Sequence, residues 1–172
     1  RICWNVVTGY LPAAARNMCQ TDKPAHDARY YHADEYLEVL YKLWEGSWED
    51  DAVVRDRERG VFTEPGKVHH IGHSGTHFSV PGVHLAEPSP QRTPFIFQAG
   101  SSDRGLEFAA KNAEVIFVGG RTNEAHGENV KKVREELRRI GRPQSEVRII
   151  AEGSFIVGRT EADARHKLAE FQ

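Results

Sequence analysis

Apolar positions along this chain follow two rhythms. Short unbroken runs, Ile2 to Thr8, Phe95 to Ala99, Ala113 to Val118 and Val147 to Gly158, have the length and composition of strands buried on both faces. Only Asn5 interrupts the first, and the last has room for a strand or two. Elsewhere apolar residues recur three and four apart, the period of a helix with one buried face. Ala33, Tyr36, Leu37, Leu40, Tyr41 and Trp44 make such a stripe between His26 and Trp44, with Asp34, Glu35, Glu38 and Lys42 expected to face away. Leu106, Phe108, Ala109 and Ala110 mark a second helix from Arg104 to Asn112. Val130, Val133, Leu137 and Ile140 mark a third that starts at Thr122 or Asn123, and Thr160-Glu161-Ala162-Asp163 opens a fourth with a cap and an acidic first turn. Gly46, and Gly141 with Pro143, stop two of these. Tyr10 to Lys23 reads as a loop with a short helical turn at Ala13 to Ala15. Ser47 to Gln91 has no long period; runs such as Gly60 to Phe62 and His77 to Val80 predict an insertion, residues 47–91, of one or more short hairpins.

Strands and helices therefore alternate, which predicts an α/β fold with a parallel sheet and right-handed crossovers. Two architectures compete, an open doubly wound sheet and a (β/α)8 TIM barrel. No GxGxxG follows the first strand, which weakens a dinucleotide fold. Roughly four βα units in order look like half a barrel, one partial domain over residues 1–172. The chain lacks an initiator Met, opens inside a strand and closes inside a helix, so it is expected to be cut from a longer protein.

Composition narrows the class. With 172 residues, 39% apolar and 28% charged, the chain is that of a soluble globular protein. A net charge of -2 gives no basic field for nucleic acid, and no run approaches the roughly 20 apolar residues of a membrane span. Cys3 and Cys19 form no CxxC pattern, and no signal peptide opens the chain, so a reduced, cytoplasmic compartment is expected.

Candidate chemistry gathers where strands end. Phe95 to Ala99 runs into Gly100-Ser101-Ser102-Asp103 and then a helix, so free N–H groups, two hydroxyls and the positive end of a helix dipole converge. That is a phosphate cradle; the plainer alternative is that Ser101 or Ser102 only caps the helix. His26 and Tyr30, four apart, share a face of another helix start and can both donate to an anion; alternatively Tyr30 is core and His26 surface. Asn5 and Thr8 lie at the end of the first strand. All fall on the C-terminal rim, where barrels bind ligands. His69, His70, His73 and His77 offer a metal-hydrolase alternative, but Gly72 and Gly75 break any common helix face and no carboxylate or Cys completes a set, so hairpin surface is the better reading and no metal is expected.

Longer motifs carry a family resemblance. Trp4-Asn5-Val6-Val7-Thr8-Gly9-Tyr10-Leu11 with Ala14-Ala15-Arg16-Asn17 resembles the signature WNVVTSYLxxAARNFG, His26 to Tyr30 resembles HDERY, Asp34 to Trp48 resembles DEYLEVxYKLWEGSW, and Gln98 to Ser102 matches QAGSS. These are motifs of the nitrilotriacetate, pristinamycin and dibenzothiophene-sulfone monooxygenases, a group within the bacterial-luciferase-like flavin monooxygenases. The resemblance is strong to about Ala113 and looser beyond. It implies a TIM barrel that uses reduced FMN from a separate NAD(P)H:flavin reductase, O2 as co-substrate and a small organic substrate, in a homo-oligomer. It also implies that His26, Tyr30, Ser101 and Ser102 hold the flavin side chain and phosphate, with Asn5 and Thr8 near the ring. No catalytic residue is assigned. Gly9 and Ala28 replace the usual Ser and Glu, and Phe117 to Gly120 departs from the pattern. A flavin- or phosphate-binding half-barrel without turnover is the alternative.

Overall fold

The computed structural model describes residues 1–171. Its centre is a four-stranded parallel sheet of β1 (Cys3–Asn5), β6 (Phe95–Ala99), β7 (Val115–Val118) and β8 (Arg148–Ala151), in that spatial order. Neighbours in space are successive along the chain once the insertion is set aside. A doubly wound sheet reverses its order partway, whereas a barrel does not. The strands are linked by α2 (His26–Tyr41), α3 (Asp103–Asn112) and α4 (Asn123–Arg139), packed side by side, with α1 (Pro12–Asn17) before them and α5 (Glu161–Glu170) after. These are βα units laid out as in half of a (β/α)8 barrel.

Register decides which residues meet which layer. Trp4, Ile96 and Ile116 sit on one face, Asn5, Phe97 and Phe117 on the other. The first face packs on the helices: Ile96, Ile116, Leu37, Phe108, Val133 and Leu137 are buried there. The second carries Phe97 stacked on Phe117 at 5.6 Å, and Phe95 and Ile150 stay exposed. β1 is shorter than the Ile2 to Thr8 run, because it pairs only with β6 and forms an open edge; two further bonds, Phe95 N–H to the Ile2 carbonyl and Val6 N–H to the Phe97 carbonyl, extend it at either end. The run after β8 forms no second strand, and Phe155 and Val157 are exposed.

Between α2 and β6 the chain leaves the sheet. After a π-helical turn at 42–46 it forms two antiparallel hairpins, β2 (Val53–Asp56) with β3 (Val61–Thr63) and β4 (His73–Ser74) with β5 (Ser79–Val80). Among the described residues no helix is long and apolar enough to cross a membrane.

Candidate functional site

The end of β6 and the start of α3 form a tight corner. Ser102 is the N-cap: its Oγ accepts the Gly105 N–H at 3.1 Å and its carbonyl accepts the Leu106 N–H at 2.8 Å. The plainer alternative for Ser102 thus holds as far as it goes. The cap uses an oxygen lone pair, however, and leaves the hydroxyl hydrogen free to donate elsewhere. Ser101 is exposed beside it. The N–H groups of α3's first turn lack intrahelical acceptors and face the same rim.

The start of α2 comes to meet this corner. His26 Nε2 lies 3.2 Å from Ser102 Oγ, while Nδ1 lies 2.6 Å from the Asp27 carboxylate. With Nδ1–H donating to Asp27, Nε2 of the neutral ring accepts the Ser102 hydroxyl hydrogen, and a second proton would make it a donor. Tyr30, one turn on and 5% exposed, packs between the His26 ring at 5.1 Å and Phe108 at 5.5 Å. Its hydroxyl projects at the two glycines of the corner. A methyl group on Gly105 would lie 2.8 Å from that oxygen and 2.9 Å from Ser102 Oγ, and one on Gly100 would lie 3.2 Å from it. Only glycines let α2 and α3 approach so closely with their polar groups pointing out between them. His26, Tyr30, Ser101 and Ser102 therefore gather at one rim.

Asn5 and Thr8 stand apart from this group. Asn5 pairs with Phe97 on the sheet face turned away from the helices, and Thr8 is half-buried past the end of β1. Among the described residues no hydrogen bond joins either to His26, Tyr30 or Ser102. The six residues thus divide into an anion end, between α2 and α3, and a pair along the end of β1.

Gln98, part of the QAGSS motif but not assigned a site role from the sequence, belongs to the corner. It is 2% exposed, its Oε1 has no hydrogen-bond partner, and that oxygen lies 3.1 Å from where a Gly100 methyl would sit. A buried acceptor without a partner is costly. A polar residue in the middle of the apolar run Phe95 to Ala99 was the available signal. Three side chains able to donate and two glycine gaps suit a phosphorylated ligand such as FMN at this corner; the unpaired Gln98 oxygen, an acceptor, calls for a donor instead.

The histidine region corrects two expectations. Glu35 does not face solvent; its carboxylate, 12% exposed, accepts the His77 N–H at 2.8 Å, the Phe78 N–H at 2.8 Å and His73 Nε2 at 3.2 Å. His73 is not hairpin surface: it is buried between Glu35 and Lys42, whose Nζ meets Nδ1 at 3.1 Å. The hairpin β4–β5 folds back on the outer side of α2, so that side is covered too. Desolvation pushes the Glu35 carboxyl up, but the bonds from His73, His77 and Phe78 and the nearby His77 charge outweigh it and hold it at about 2. His69 turns to Glu49 at 2.8 Å, His70 to the Pro81 carbonyl at 3.1 Å, and His77 to His32 at 5.1 Å between ring centres. Among the described residues no three His, Cys, Asp or Glu side chains converge as metal ligands.

Comparison with known proteins places this geometry. A family model described as luciferase-like monooxygenase matches residues 1–172. The chain is 54% identical over 172 residues to the long-chain alkane monooxygenase of Geobacillus thermodenitrificans (strain NG80-2), covering 100% of this chain and 39% of that one. It is 48% identical over 171 residues to the dimethyl-sulfide monooxygenase of Hyphomicrobium sulfonivorans, covering 99% and 36%. Among solved structures, a riboflavin lyase with modified FMN and substrate riboflavin superposes with a TM-score of 0.88 at 40% identity, covering 99% of this chain and 38% of that one. The chain thus spans under two fifths of the length of these relatives.

Proposed function

This chain belongs to the luciferase-like monooxygenase family, and from that membership we propose that it is the flavin-phosphate-binding part of a monooxygenase that uses reduced FMN and O2. The observation that carries the proposal is the corner where Ser102, His26 and the Tyr30 hydroxyl converge over Gly100 and Gly105. Reduced FMN, when bound, supplies the electrons that activate O2 for transfer of one oxygen atom to a small organic substrate. The chain's own residues bind and orient. The hydroxyls of Ser101 and Tyr30 donate to the phosphate, the α3 N–H groups and dipole favour its charge, and the Ser102 hydroxyl, held by His26 before the ligand arrives, turns its one hydrogen from His26 Nε2 to the phosphate. Asn5 and Thr8 line the way to the ring. A separate NAD(P)H:flavin reductase delivers the reduced cofactor.

A second reading, a half-barrel that binds flavin or phosphate without turnover, is favoured by the exposed Phe95 and Ile150 on the face of the sheet that the helices leave bare. Single variants in the full-length protein test the first reading. Ser101→Ala leaves the α3 cap untouched and is expected to weaken FMN binding; Ser102→Ala is expected to weaken it and also to cost about 1 kcal/mol of stability through the lost cap. FMN affinity unchanged in both variants contradicts the proposal. FMN bound normally, with no oxygenation when a reductase and NADH are supplied, favours the second reading.

A further inference from the structure

We infer that Arg104 is a positioning residue for phosphate recognition, setting the width of the corner from below. This deepens the flavin reading and rests on it. Arg104 is the second residue after the cap of α3, yet its side chain runs back across the interface to α2 and is 11% exposed. There it grips three successive features of the facing helix. The guanidinium pairs with the Asp34 carboxylate. It lies over the Tyr31 ring with its central carbon 4.9 Å from the ring centre, and over the Tyr30 ring at 5.7 Å, both within cation–π range. Glu107, on its own helix, holds a second nitrogen at 3.4 Å, and Nε is buried without a partner.

The consequence is geometric. His26 and Tyr30 reach the corner from α2, Ser101 and Ser102 from the start of α3. Nothing covalent fixes the gap between the two helices at this point. Arg104 is the one charged side chain of α3's first turn that stacks on Tyr30 itself, and Asp34, one turn beyond Tyr30, anchors it. A planar fork that pairs with a carboxylate while stacking on two rings has no equivalent in lysine, which offers a point charge on a flexible stem. Charge alone therefore does not do what Arg104 does here.

The test compares FMN with riboflavin, which lacks the phosphate, in the full-length protein, with affinities read from quenching of flavin fluorescence. The wild type is expected to hold FMN well above riboflavin. Arg104→Lys and Asp34→Asn are each expected to lower FMN affinity by about tenfold, in the range of one lost charge-assisted contact, while changing riboflavin affinity less than twofold. The double variant is expected to be no worse than either single one, because both remove the same clamp. An FMN-to-riboflavin ratio unchanged in both single variants overturns the inference, as does an equal loss for both ligands together with a lowered melting temperature, which marks a merely structural pair. A wild type that does not distinguish FMN from riboflavin sinks the phosphate reading itself, and the role of Arg104 with it.

Discussion

At the scale of single residues, what could be read from the sequence was what is local. Ser102 as a cap and the pairing of His26 with Tyr30 follow from spacings of three and four, and both stand in the structure. Glu35 and His73 were misplaced because their meeting spans 38 residues and depends on a hairpin folding back on α2. A carboxylate between apolar helix positions looks solvated until that hairpin is in view. The Glu35 cage is titratable. The folded carboxyl sits at about 2 against an ordinary 4.5, so between those values the unfolded chain binds more protons. The attachment contributes fully above about 4.5 and is lost as pH falls toward 2. Carbon-13 NMR of the Glu35 side chain is expected to show a midpoint near 2; an ordinary midpoint would mean that the hairpin does not seal it. Glu35→Ala is expected to remove the acid-range loss of thermal stability that this group causes.

At the scale of elements, helices were legible to within a residue or two where caps are strong. Ser102, Thr122 and Thr160 each accept an N–H three residues on, and each fixes a start that propensity alone leaves vague. Strand β1 was overread because an apolar run does not reveal that its strand lies at an edge. Two glycines in helices separate packing from propensity. Gly105 faces Tyr30 and Ser102, so Gly105→Ala is expected to destabilise the chain and to lower FMN affinity by forcing α2 from α3. Gly127, within α4, has open space around it, so Gly127→Ala is expected to raise stability by about 0.5–1 kcal/mol. Chemical denaturation of the two variants side by side checks both signs. A destabilising Gly127→Ala would mean that α4 does not run as described.

At the scale of the whole molecule, barrel order follows from βα alternation once the hairpin insertion is set aside, with no glycine fingerprint after the first strand, and for that reason a half-barrel could be read before any contact was known. The meeting of α2 with α3 was not, since it rests on two missing methyl groups and one arginine. The sheet leaves β1 and β8 each with one unpaired edge, and Phe95 and Ile150 lie bare on one face. Open edges and bare apolar faces associate. The isolated chain is therefore expected to self-associate by light scattering, with Ile150→Lys reducing it. The most direct measurement is a crystal structure of the full-length protein with FMN. Its phosphate is expected at the start of α3, within hydrogen-bond reach of Ser101 or Ser102 and of Tyr30; a flavin whose phosphate lies at another strand end, with those three side chains turned away from it, would contradict the assignment of this corner.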